Sequence, residues 1–155
     1  MNKTTTTLIY AALPALIAVG LFVFFFMLSA HSAFQSIGLL SIITIVLIVI
    51  CNTVAQLLVK YRAGNGQMSM SRGLFTGLIS SVVFSLLTRL FIYFFDLIKE
   101  TYSQKLEQSG WNYGIGLYLI AGSVFFILCG MFFSFGISAV LRTRNMPTPP
   151  QEMNA

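Results

Sequence analysis

Charge is the scarcest property of this 155-residue sequence. Asp, Glu, Lys and Arg make up 8% of it and hydrophobic residues 57%, where a soluble domain carries roughly 25% charged residues. Nine Lys/Arg and four Asp/Glu cannot cover the surface of a soluble fold of this length, which excludes a water-soluble enzyme. Metal and redox ligands are equally sparse. The single histidine, His31, sits at a boundary of apolar sequence, so bis-histidine haem ligation within one chain is impossible. No His/Cys/carboxylate cluster offers a metal site. Cys51 and Cys129 each fall midway along an apolar stretch, where a reduced, buried thiol is the expected state. No carboxylate lies deep in an apolar stretch, which weakens a proton- or cation-coupled carrier. Gly64-Asn65-Gly66 does not continue as a dinucleotide or phosphate-loop fingerprint, and the serines have no buried His or Asp as a base. The expectation is a non-enzyme with no cofactor. Disorder is excluded too, because disordered chains are poor in apolar residues and this one has 15 Phe.

What the sequence has in abundance is long apolar runs. Four of them, 8–29, 37–59, 74–97 and 114–141, exceed the ~20 residues that cross ~30 Å of hydrocarbon at ~1.5 Å per residue. None alternates with period two, as a membrane β-barrel would. Helices satisfy their own backbone in lipid, so the fold class is an all-α, four-helix transmembrane bundle. Residues 1–145 form its single domain and the proline-containing 146–155 a short unstructured tail. The first run follows a basic start and ends at Ala30-His31-Ser32, which looks like a signal-peptidase site. At about 22 residues it is longer than the ~7–15 of a signal-peptide core, so a retained helix is expected, with Pro14 in its second turn.

Basic residues give the orientation. Lys3, Lys60, Arg62, Arg72, Arg142 and Arg144 fall on one side of the bundle, Lys99 and Lys105 on the other. Positive residues collect in the cytoplasm, so both termini are expected there, in a bacterial inner membrane. Tyr10 and Tyr61 at one face and Trp111 and Tyr113 at the other suit interfacial aromatic belts. No basic block is dense enough for nucleic acid, and the net charge of +5 reads as topology and contact with anionic head groups. In the second loop Gly64-Asn65-Gly66 predicts a turn, with Ser69 or Ser71 capping the third helix. The third loop, Ile98 to Tyr113, predicts an extension of that helix by two or three turns, broken at Ser109-Gly110.

Within the spans, Arg89 stands out, eight residues from the outer end of the third run and therefore at a depth of ~12 Å. It continues an i+4 stripe of Gly73, Gly77, Ser81, Ser85 and Tyr93, with Asp96 seven residues on. Small residues at this spacing let helices approach closely, so the stripe should face the bundle. Arg89 admits two readings: an anion or head-group site, or an anchor snorkelling outward toward water and Asp96. The fourth run carries a matching stripe of Gly114, Tyr118, Gly122, Phe126, Gly130, Ser134 and Ser138, read as packing against the third helix. Asn52 and Gln56 share a face of the second run; interhelical amide hydrogen bonds explain them, and a polar pore lining is the alternative.

The second hairpin carries a resemblance. A long apolar helix, Leu39 to Val59, leads to Lys60-Tyr61-Arg62 and a glycine-containing loop. Met68-Ser69-Met70-Ser71-Arg72-Gly73 follows, then a helix opening Leu74-Phe75-Thr76-Gly77 and leaving through Phe94-Phe95-Asp96. This resembles a bacterial family of small four-span membrane proteins carrying a domain of unknown function. The resemblance implies a four-helix inner-membrane protein and brings no catalytic residue with it.

Three functions stay open. The leading one is a non-enzymatic structural or accessory component whose partners are the bilayer and itself or another membrane protein. A passive channel or carrier for a small, possibly anionic solute, lined by Arg89, Asn52, Gln56 and serines, is the second. The third is a lipid- or oligosaccharide-handling protein using Arg89 and the outer loop.

Overall fold

The computed structural model describes residues 3–31, 37–99, 101–108, 110 and 113–142, and all the regular structure among them is helical. α1 spans Lys3–His31, α2 Ile37–Leu58, α3 Met70–Lys99, α4 Thr101–Gln108 and α5 Gly114–Leu141; one π-helical turn, Val59–Ala63, ends α2. Helices α1, α2, α3 and α5 are long and apolar enough to cross a membrane. The chain is a multi-pass membrane protein with an all-α fold. Ser32–Ser36, Glu100, Ser109, Trp111 and the tail with Arg144 lie outside the described residues, as do the side chains of Lys3, His31, Lys99 and Lys105.

The four spanning helices form a ring in the order α1, α2, α5, α3. Helices α2 and α3 also touch across it, while α1 and α5 lie on opposite sides of that pair. Sequence decides each interface. α1 buries Thr7, Ala11, Ala15, Ala18, Phe22 and Phe26, a stripe at steps of three and four that is small at one end and aromatic at the other. Its aromatic end packs on α3: Phe22 meets Phe84 edge-on at 6.4 Å, and Phe26 meets Phe91 and Phe95 edge-on at 5.4 and 4.9 Å. These T-shaped contacts align the positive ring edge with the negative face. The opposite sides of the helices are apolar and open, with Val140 84%, Phe132 76% and Ile17 62% exposed. Such faces suit a solvent of lipid tails.

The local expectations fare differently. Helical structure continues beyond the membrane end of α3: α4 runs to Gln108, its Leu106 belongs to the buried core, and Gly110 turns with a φ of 87° where the break is expected. Burying that leucine stabilises the extension. Pro14 lies in the fourth turn of α1 and not the second, because the helix already begins at Lys3; α1 continues through it, and the proline is buried. The predicted turn forms. Asn65 and Gly66 take φ of 48° and 81°, and the Gly66 and Gln67 N–H groups donate to the carbonyls of Lys60 and Gly64 at 2.9 and 2.8 Å. Of the two capping candidates it is Ser69 whose Oγ accepts from the Arg72 N–H, at 3.3 Å.

Candidate functional site

The antiparallel pair α3–α5 is built on opposed small residues. Gly73 faces Ser138, Gly77 faces Ser134 and Ser81 faces Gly130, each pair one turn further along both helices. The opposition is close enough that glycine is the only residue that fits. A Cβ on Gly73 would sit 2.8 Å from the Ser138 Cβ, one on Gly130 2.6 Å from the Ser81 Cβ, and one on Gly77 directly on the Ser134 side chain. Close backbone approach increases van der Waals contact, which drives helix association where lipid tails are as apolar as leucine.

The amides of α2 are threaded into this seam. Asn52 Nδ2 donates to the Gly130 carbonyl at 2.9 Å and to Ser81 Oγ at 3.2 Å. One turn on, Gln56 Nε2 donates to Ser134 Oγ at 2.8 Å and to the Ser134 carbonyl at 3.2 Å, while Ser138 Oγ donates to Gln56 Oε1 at 3.0 Å. Ser134 Oγ also reaches the Gly73 carbonyl, at 3.3 Å. Asn52, Gln56, Ser134 and Ser138 have no solvent exposure. Among the described residues no buried side-chain N or O atom lacks a hydrogen-bond partner, so the seam is polar yet closed. A further lock sits at its end: Lys60, in the π-helical turn, donates to the Leu141 carbonyl at 3.1 Å, capping α5 from a neighbouring helix.

Arg89 continues the same register, opposite Gly122. Its guanidinium carbon lies 4.7 Å from the Phe126 ring centroid and 5.5 Å from that of Tyr118, the residues one turn to either side of Gly122. A Cβ on Gly122 would come within 2.9 Å of that carbon, so this glycine makes the slot that the side chain lies in. The side chain therefore crosses sideways onto α5, level with its own backbone and nearer the deeper ring. It does not take the outward, snorkelling course toward Asp96. Two aromatic faces offset part of the cost of a buried cation, cation–π contacts being worth about 2 kcal/mol when desolvated. Asp96 is itself buried, and Tyr93, the last member of the α3 stripe, is 40% exposed and leaves the bundle.

What sequence reasoning missed here is the pairing, not the residues. Tyr118, Gly122 and Phe126 are already in the α5 stripe, but only the α3–α5 register puts them around Arg89. Cys51 Sγ lies 2.9 Å from Ser80 Oγ, both cysteines are free thiols, and the described residues contain no group of three or more His, Cys, Asp or Glu suited to a metal. The arrangement offers packing, charge burial and interhelical hydrogen bonding. Set against protein-family models, curated proteins and solved structures, the chain matches none.

Proposed function

We propose that this chain is a non-enzymatic structural or accessory component of a bacterial inner membrane, with cytoplasmic termini, acting through its apolar helix faces on another membrane protein or a second copy. One observation carries the reading: the intramembrane amides Asn52 and Gln56 are spent on α3 and α5, leaving the outer faces of the bundle apolar. Polar groups committed to helix–helix bonds hold a bundle together and are not free to line a path for solute. The gathering of Lys60, Arg62, Arg72 and Arg142 at one end of the bundle supports the orientation. Kinship with small four-span bacterial proteins belongs to the same proposal and rests on the residues of the second hairpin.

The test is gentle-detergent purification of a C-terminally tagged chain, with mass measurement of what stays bound. A stoichiometric partner or a defined homo-oligomer is the expected result; a monomer with nothing attached overturns the reading. The competing channel, lined by Arg89, predicts anion flux in proteoliposomes that Arg89→Ala alters.

A further inference from the structure

The end of α5 lines two hollows. One is polar, about 790 Å³, and is walled by the turn from Ala63 to Ser71 together with Arg72 and Arg142. The other is apolar, about 510 Å³, and runs along the outside of α2 and α5 past Leu57, Phe132, Gly136 and Leu141. Leu141 lines the apolar hollow, and the next residue, Arg142, lines the polar one. A polar, cationic chamber and an apolar groove on a membrane-spanning surface are thus lined by consecutive residues.

The chamber presents cationic donors suited to an anion. Arg72 is held in place by Nη2, which donates to Thr7 Oγ1 at 3.2 Å and to the Ala63 carbonyl at 3.4 Å. Among the described residues those bonds use Nη2 alone, so the Nε and Nη1 donors of the planar fork are left for an external acceptor. Arg142 follows the last residue of α5 with its side chain exposed. The chain has no Asp or Glu before Asp96, which lies near the far end of α3, so no carboxylate of the spanning bundle neutralises these arginines. The groove is equally specific in the opposite sense. Its walls are nearly all apolar, and a Cβ on Gly136 would meet nothing within 4 Å.

We infer that the two hollows together bind one anionic phospholipid, with its phosphate between Arg72 and Arg142 and an acyl chain along the α2–α5 groove. A soluble phosphate would use the polar chamber alone; the adjoining groove selects a lipid. The inference is independent of the packing role and needs only that the four helices sit in a bilayer.

Native mass spectrometry of the purified full-length chain tests it, with phosphatidylglycerol or phosphatidylcholine added at equal concentration. Wild type is expected to retain phosphatidylglycerol over phosphatidylcholine by about fivefold or more, and Arg142→Gln to lose about fivefold, the factor carried by one basic residue near an anionic surface. Arg62→Gln removes an exposed charge at the same end that does not line the chamber, and should leave retention unchanged. Gly136→Leu places a side chain in the groove from a position where a Cβ meets nothing within 4 Å, and should lower retention with the chamber intact. Equal retention of both lipids, or equal losses from Arg62→Gln and Arg142→Gln, overturns the proposal in favour of diffuse surface charge. Displacement of the lipid by millimolar inorganic phosphate, with Gly136→Leu silent, overturns it in favour of a free-anion site. Arg142→Gln carries the charge test because Arg72→Gln also removes the bond to Thr7 and so perturbs the α1 contact.

Discussion

Substituting Gly77 by alanine adds one methyl group to the α3–α5 seam, and the structure gives it no room. The new Cβ would fall on the Ser134 side chain and within 3.4 Å of Gln56 Nε2. Ser134 cannot turn away freely, because its Oγ accepts from Gln56 and donates to the Gly73 carbonyl. The helices must therefore separate. Overpacking of this kind costs about 1–3 kcal/mol, and each intramembrane hydrogen bond lost adds about 0.6 kcal/mol. Alanine also gains up to about 1 kcal/mol of helix propensity over glycine, so the reference has to be another glycine-to-alanine change. Gly136→Ala serves, since its Cβ meets nothing within 4 Å. Reversible unfolding by SDS in mixed micelles should place Gly77→Ala about 2–3 kcal/mol below Gly136→Ala. Adding Ser134→Gly should recover most of the steric part while forfeiting the Gln56 bond. Equal stability of Gly77→Ala and Gly136→Ala would refute the close-packed seam.

Three further expectations follow from the same geometry. Gln56→Ala leaves the Ser138 and Ser134 hydroxyls without their amide and should destabilise the bundle by about 1–2 kcal/mol in the same assay, with Asn52→Ala acting alike through Ser81 and the Gly130 carbonyl; a variant as stable as wild type would argue against the amides as fasteners. Arg89→Leu removes an intramembrane charge costing about 2.5–3.5 kcal/mol and cation–π contacts worth about 2 kcal/mol, so its stability should match or exceed that of wild type. In a double-mutant cycle Phe126→Leu should then cost about 1–2 kcal/mol more with Arg89 present than with leucine there, and zero coupling would remove the aromatic slot from the account. Fusions at the C-terminus test the orientation: a fluorescent protein should glow and alkaline phosphatase stay inactive, and the reverse pattern places the termini outside.

Fold and seam were legible to different depths, for physical reasons. Four spans are readable because bilayer thickness dictates their length, and the helical stretch of α4 because nothing between Ile98 and Gln108 breaks a helix by composition. That its Leu106 reaches the core is a tertiary event that no local pattern contains. The stripes on α3 and α5 are readable because small residues recur every fourth position. That they face each other as Gly73–Ser138 and Gly77–Ser134 depends on a register that no local pattern contains. Arg89 illustrates the consequence. Its depth was plain from its position in the run, but its neighbours Tyr118 and Phe126 lie in another helix, so its direction was not. The π-helical turn at Val59–Ala63 is hidden for the same reason: Val-Lys-Tyr-Arg-Ala is ordinary helical sequence, and the contact made there, from Lys60 to the Leu141 carbonyl, bridges distant parts of the chain.

The proposal that the apolar faces serve another protein is tested most directly inside the membrane, before any detergent is added. A photo-reactive residue placed in turn at Ile17, Ile42, Leu86 and Phe132, one exposed position on each spanning helix, samples all sides of the bundle. The account predicts that at least one position yields a protein adduct of a single, discrete mass on irradiation of intact cells, while the opposite faces yield lipid adducts only. Four positions that give lipid adducts and no protein would contradict it.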